Sequence, residues 1–119
     1  MALLTFKHLT GSRATQVDSV RLGAHRELIL GRAQSAAVRF DAREDRAVGR
    51  QHARIVPVDQ TLGRFALSDL ETRNGTFVNG RRVTDAVELV SGDVVQLGVD
   101  GPRVEVTFTT EPDLARQPG

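Results

Sequence analysis

The chain has no cysteine, no tryptophan and no tyrosine, and aromatic residues make up only 4% of it. Without cysteine there is no disulfide, no thiolate metal site and no thiol nucleophile, which suits a reducing compartment. Five phenylalanines are the whole aromatic supply, too few to provide the stacking platforms on which single-stranded nucleic acid usually rests. An excess of one charge is missing too. The 16 basic and 15 acidic residues leave a formal net charge of +1, so a general affinity for polyanions is excluded and any anion recognition must be local.

Long apolar runs are also lacking. No stretch approaches the roughly 18 consecutive apolar residues that a membrane helix needs. The amino end carries no extended apolar core followed by a small-residue cleavage site. Neither direct membrane insertion nor export is therefore expected, and a cytoplasmic location is. What remains is 119 residues and 13.0 kDa, the size of one domain with a single core. The arginine-rich, lysine-poor composition hints at a GC-rich bacterial source.

The periodicity indicates short strands. The segments 3–9, 17–22, 27–30, 37–40, 53–58, 64–70, 76–78, 87–89, 93–97 and 104–108 are alternating or rich in β-branched residues, and Gly, Asp, Asn or Pro bounds them. No apolar stripe at helical spacing persists for ten or more residues. Many short strands separated by glycine turns indicate an all-β sandwich or barrel. Residues 1–110 are expected to form the domain, and the polar segment 111–119, with Pro112 and Pro118, to be a flexible tail or the start of a linker. The mixed-charge segment from Phe40 to Ala47 reads as a solvated excursion.

Three motifs punctuate this pattern. Gly31-Arg32 closes an apolar strand; Gly49-Arg50-Gln51-His52-Ala53-Arg54-Ile55 follows; and Thr72-Arg73-Asn74-Gly75-Thr76-Phe77-Val78-Asn79-Gly80 comes after it. Arg32, at a strand end, can point a forked guanidinium into solvent, and Arg50 is a second candidate cation. Asn74 carries side-chain donors and an acceptor suited to an extended peptide's main chain, while Asn74-Gly75 also reads as a tight turn. Asn79-Gly80 repeats that turn pattern. No Gly-x-Ser-x-Gly element, paired-histidine helix motif or Walker loop occurs, so His52 has no catalytic companions. His8 and His25 have no ligand-like neighbours, and neither metal nor other cofactor is expected.

With the later Ser91-Gly92-Asp93 turn, these motifs resemble the forkhead-associated (FHA) domain over about residues 28–108. The resemblance implies a β-sandwich of two twisted, mainly antiparallel sheets with about 11 short strands and ligand loops at one end. It implies a non-catalytic module that recognises phosphothreonine, with a phosphothreonine-containing protein or peptide as partner, such as a Ser/Thr kinase substrate, and no nucleic acid. The site residues it implies are Arg32, Gly49, Arg50, Thr72, Arg73, Asn74 and Asn79, supported by Gly31, His52 and Gly75. Thr72 either donates to the phosphate or braces the loop, and Arg73 faces the peptide flank or solvent.

Gly49 departs from the family pattern, which usually has serine there. A neutral donor to a charged acceptor contributes roughly 1.5–3 kcal/mol, so its loss corresponds to about a tenfold to hundredfold weakening. An amide nest at residues 49 and 50, with positive φ at the glycine, could compensate. Alternatively, the same loops serve a phosphorylation-independent scaffold or self-association domain.

Overall fold

In a computed structural model of the chain, described for residues 2–23, 26–59 and 63–110, the all-β expectation holds: the described residues contain no helix. Eleven strands are present: β1 (Ala2–His8), β2 (Val17–Leu22), β3 (Leu28–Gly31), β4 (Val38–Arg39), β5 (Ala53–Asp59), β6 (Arg64–Asp69), β7 (Thr76–Val78), β8 (Arg81–Arg82), β9 (Val87–Leu89), β10 (Asp93–Leu97) and β11 (Arg103–Thr110). His25 and the expected tail at 111–119 lie outside the described residues.

The strands form two sheets. One is ordered β2-β1-β11-β10-β7-β8 and the other β4-β3-β5-β6-β9. Every pairing is antiparallel except β3 with β4. Alternation decides which side chains meet between the sheets. In β1, Ala2, Leu4, Phe6 and His8 point inward, and Val95, Leu97, Val104 and Val106 join them from β10 and β11. The opposing layer supplies Leu28, Leu30, Ala53, Ile55, Phe65 and Leu67.

Two features escape the sequence pattern. β8 consists of two exposed arginines and exists because Asn79-Gly80, with φ of 50° and 85°, makes a two-residue turn that returns the chain alongside β7. Both central residues at positive φ is the turn geometry that matches strand twist. The segment 40–47 is largely exposed, as expected of a solvated excursion, but it is tied down at two buried residues. Phe40 is buried against His8, and the buried Asp45 carboxylate accepts from the Ser12 hydroxyl at 2.6 Å and from the Ser12 and Asp41 amides. Burial of a carboxylate is tolerated here because it is fully hydrogen-bonded.

Candidate functional site

The loops after β3, β4, β6 and β10 meet at one end of the sandwich. Backbone bonds draw them together: Arg32 N–H donates to the Gly49 carbonyl at 3.0 Å, Ala33 N–H to Arg50 at 3.0 Å, Gly98 N–H to Gly75 at 2.8 Å, and Val99 N–H to Asn74 at 3.2 Å. Gly31 is required by the first two of these approaches, since a Cβ there would collide with the Arg50 carbonyl and crowd that of Gly49.

His52 is the pin between two of these loops. Its ring is fully buried, its Nδ1 accepts from the Gly49 amide at 2.9 Å, and its Nε2 lies 2.7 Å from the Gly75 carbonyl. An amide can only donate and a carbonyl only accept, so the ring is neutral with its proton on Nε2. Burial holds its pKa below the ordinary histidine range, against the opposing pull of the Gly75 carbonyl and Asp69. The support role expected for His52, Gly31 and Gly75 has this geometry behind it.

Thr72 braces the loop. Its hydroxyl donates to Asp69 Oδ1 at 2.6 Å and accepts from the Gly75 amide at 3.0 Å, so its single proton is already committed. Of the two roles open for Thr72, bracing the loop is the one these hydrogen bonds serve. The organising group is Asp69, which sequence reasoning missed. It accepts from the Thr72 amide at 3.0 Å and from the Thr72 and Thr76 hydroxyls at 2.6 and 2.7 Å. Burial works to raise its pKa, but these hydrogen bonds prevail and hold the carboxyl below the usual range. A carboxylate three residues before a threonine, at the end of a strand and ahead of an Asn-Gly pair, was the available signal.

Gly49 lies between His52 and Thr72. The proposed amide nest is not formed: the Gly49 amide is donated to His52, and its φ is not positive. A Cβ at this position would sit 3.7 Å from both His52 Nδ1 and Thr72 Cγ2, an ordinary contact distance, so a serine would fit here. Asn79 occupies the turn expected of it. Its side chain donates to Asp93 at 2.8 Å and accepts from the Val94 amide at 2.9 Å, at the far end of β7 from Gly75. Both halves of its amide are spent on the sheet.

Four residues stand as candidates to meet a ligand. Arg32 is half-buried and its Nε donates to the Val48 carbonyl, which fixes the guanidinium beside the 48–50 loop; its terminal nitrogens hydrogen-bond no described residue. Arg50 and Arg73 are exposed, and their side chains form no hydrogen bond or ion pair with a described residue. Asn74 is exposed as well. Its Nδ2 donates to the Ala47 carbonyl at 3.1 Å, so the amide ties this turn to the preceding loop while its oxygen accepts from no described donor. The result is a cationic rim around a rigid hydrogen-bonded base. Such a surface is suited to a compact, multiply charged anion on an extended chain.

A family model described as the FHA domain matches residues 28–98. Vacuolar protein sorting-associated protein 64 of Saccharomyces cerevisiae is 38% identical over 85 residues, covering 71% of this chain and 13% of that protein. The human sarcolemmal membrane-associated protein is 38% identical over 61 residues, covering 46% of this chain and 7% of its own length. The chain thus spans a small part of these relatives. Among solved structures, an FHA domain studied for phosphothreonine-dependent interactions superposes with a TM-score of 0.69 at 30% identity, over 88% of this chain and 95% of that one. The FHA domain of a hypothetical protein from Arabidopsis thaliana shares the fold, with a TM-score of 0.78 at 23% identity over 100% of this chain and 92% of that one.

Proposed function

Because the chain belongs to the FHA domain family, we propose that it is a non-catalytic module that binds phosphothreonine peptides through the loops at the Arg32 end of the sandwich. The observation that carries this reading is a set of three arginines, Arg32, Arg50 and Arg73, whose terminal guanidinium nitrogens pair with no described residue, set around loops locked by His52 and Asp69. A phosphothreonine carries close to two negative charges and three strong acceptors. Arg32 meets it from a braced position, Arg50 and Arg73 add charge from the rim, and the Asn74 side-chain oxygen accepts from a peptide amide beside the phosphorylated residue. The arginine-over-lysine composition supports a bacterial source, and a cytoplasmic setting, where Ser/Thr kinases modify their substrates, completes the proposal.

The test is retention of a degenerate peptide library prepared in phosphothreonine, phosphoserine and unmodified forms. Phosphothreonine members alone are expected to be retained. Equal retention of the unmodified library would replace this reading with a phosphorylation-independent scaffold.

Gly49→Ser follows from the same geometry. The added side chain meets only ordinary contacts, and its hydroxyl offers one more donor to the phosphate at roughly 1.5–3 kcal/mol. Titration of the variant should show phosphopeptide affinity about tenfold or more above the parent. Unchanged or weaker binding would mean that the phosphate does not sit over residue 49.

A further inference from the structure

A fourth arginine reaches the rim from a different strand. Arg82 lies in the edge strand β8, opposite Phe77 in the pairing with β7 and diagonal to Gly75, the offset at which a long side chain can cross a strand pair. Its guanidinium rests on Gly75: a Cβ there would sit 3.0 Å from Arg82 Cζ, 3.0 Å from Nε and 3.1 Å from Nη2. Gly75 is buried beneath it, while Arg82 itself remains exposed. The glycine therefore has two reasons to be there, its φ of +82° and the seat it leaves for a planar cation.

This cation has no partner in the described structure. Arg82 forms no ion pair or side-chain hydrogen bond with a described residue, in contrast to Arg13, held by Asp18 at 2.7 Å, and Arg64, held by Glu88 at 2.7 Å. Glu71 and Asp100, the acidic residues of the adjoining loops, do not pair with it. Asn74, the residue suited to holding the peptide backbone, immediately precedes the glycine on which the guanidinium lies. Arg82 thus adjoins the turn that carries Asn74, and it reaches that turn from an edge strand and not from the loops that carry Arg32 and Arg50. A single phosphate seated at Arg32 leaves this charge unanswered.

We infer that Arg82 is a specificity residue that reads a second anionic group, a carboxylate or a further phosphate, on the same phosphothreonine peptide. The inference rests on the phosphothreonine reading above and extends it to the ligand's sequence: a neutral flank suffices for binding, and an anion at one fixed offset adds affinity. The seat on Gly75 holds the guanidinium flat, so the bidentate face is presented to one offset and not averaged over several.

The experiment walks one anion along a retained phosphothreonine peptide. Aspartate in one series and phosphoserine in the other occupy each flanking position in turn, against the parent chain, Arg82→Gln and Arg82→Lys. Affinity should rise about fivefold to tenfold at one offset in at least one series. Arg82→Gln should abolish that gain while binding the neutral-flank peptide within twofold of the parent, and Arg82→Lys should retain only part of the gain. The aspartate and phosphoserine series identify which source of the anion is preferred. A gain that survives Arg82→Gln, no gain at any offset, or an equal loss for neutral and anionic peptides would overturn the inference. Failure of every phosphothreonine peptide to bind would instead overturn the reading beneath it.

Discussion

Arg32→Ala is expected to reduce phosphothreonine-peptide affinity by about a hundredfold or more while leaving a folded domain. The guanidinium is the one cation of the rim that is both half-buried and positioned by the backbone, through its Nε bond to the Val48 carbonyl and its amide bond to Gly49. Its position lets it meet the phosphate already oriented, so the interaction loses little to side-chain ordering. A charge-assisted pair of this kind contributes about 3 kcal/mol, and each 1.4 kcal/mol is tenfold in affinity. The cost to the free protein is smaller, about 1 kcal/mol for the lost bond to Val48. Arg32→Lys should recover only part of the binding, because an ammonium on a flexible stem cannot hold the Val48 carbonyl and present a planar fork together. Calorimetric titration beside a thermal melt checks both numbers. A tenfold effect or less on binding would move the phosphate away from Arg32 and onto the exposed arginines.

The second large effect falls on stability. His52→Ala removes a fully buried ring and leaves the Gly49 amide without its acceptor. The cavity and the orphaned donor together should cost about 3–4 kcal/mol, a fall in Tm on the order of 10–20 °C for a domain of this size. Peptide affinity should fall as well, since the Gly49 loop and the Gly75 turn are held in register through this ring. His52→Phe separates the causes: it restores much of the volume but neither hydrogen bond, and should recover part of the Tm and little of the affinity.

The same residue gives the free protein a pH dependence whose sign is fixed. Because burial depresses the folded-state pKa below the unfolded value of about 6.5, the unfolded chain takes up the proton first as pH falls. The His52 contribution is complete above about pH 6.5 and declines as pH drops toward the lower folded pKa. His52→Phe should remove that component of the slope. Melting the unliganded protein is the proper measurement, since a peptide phosphate titrates near pH 6 itself.

The fold was largely legible because short, glycine-bounded strands leave a period-two signature, and the expected segments at 17–22, 76–78, 87–89 and 93–97 coincide with β2, β7, β9 and β10. β8 was not, because two exposed arginines carry no such signature and owe their pairing to the preceding turn. At the site, sequence could name residue types but not say which of their hydrogen bonds were already taken. Thr72, Asn79 and the Gly49 amide each looked able to reach a ligand, yet Asp69, Asp93 and His52 respectively had claimed their donors. Mixed charge likewise suggested a solvated loop at 40–47, although Ser12, distant in sequence, satisfies the buried Asp45. Arg82 was hidden for a similar reason: its nearness to Gly75 comes from strand pairing and not from chain spacing.

The account comes down to where the phosphate sits. Backbone amide resonances of the labelled protein, followed by NMR during titration with a retained phosphothreonine peptide, address this directly. Shifts should concentrate at residues 32–33, 48–50 and 72–75, with no comparable change when the unmodified peptide is added. Equal shifts from the unmodified peptide, or shifts centred on the edge strand β2 at the far side of its sheet, would contradict it.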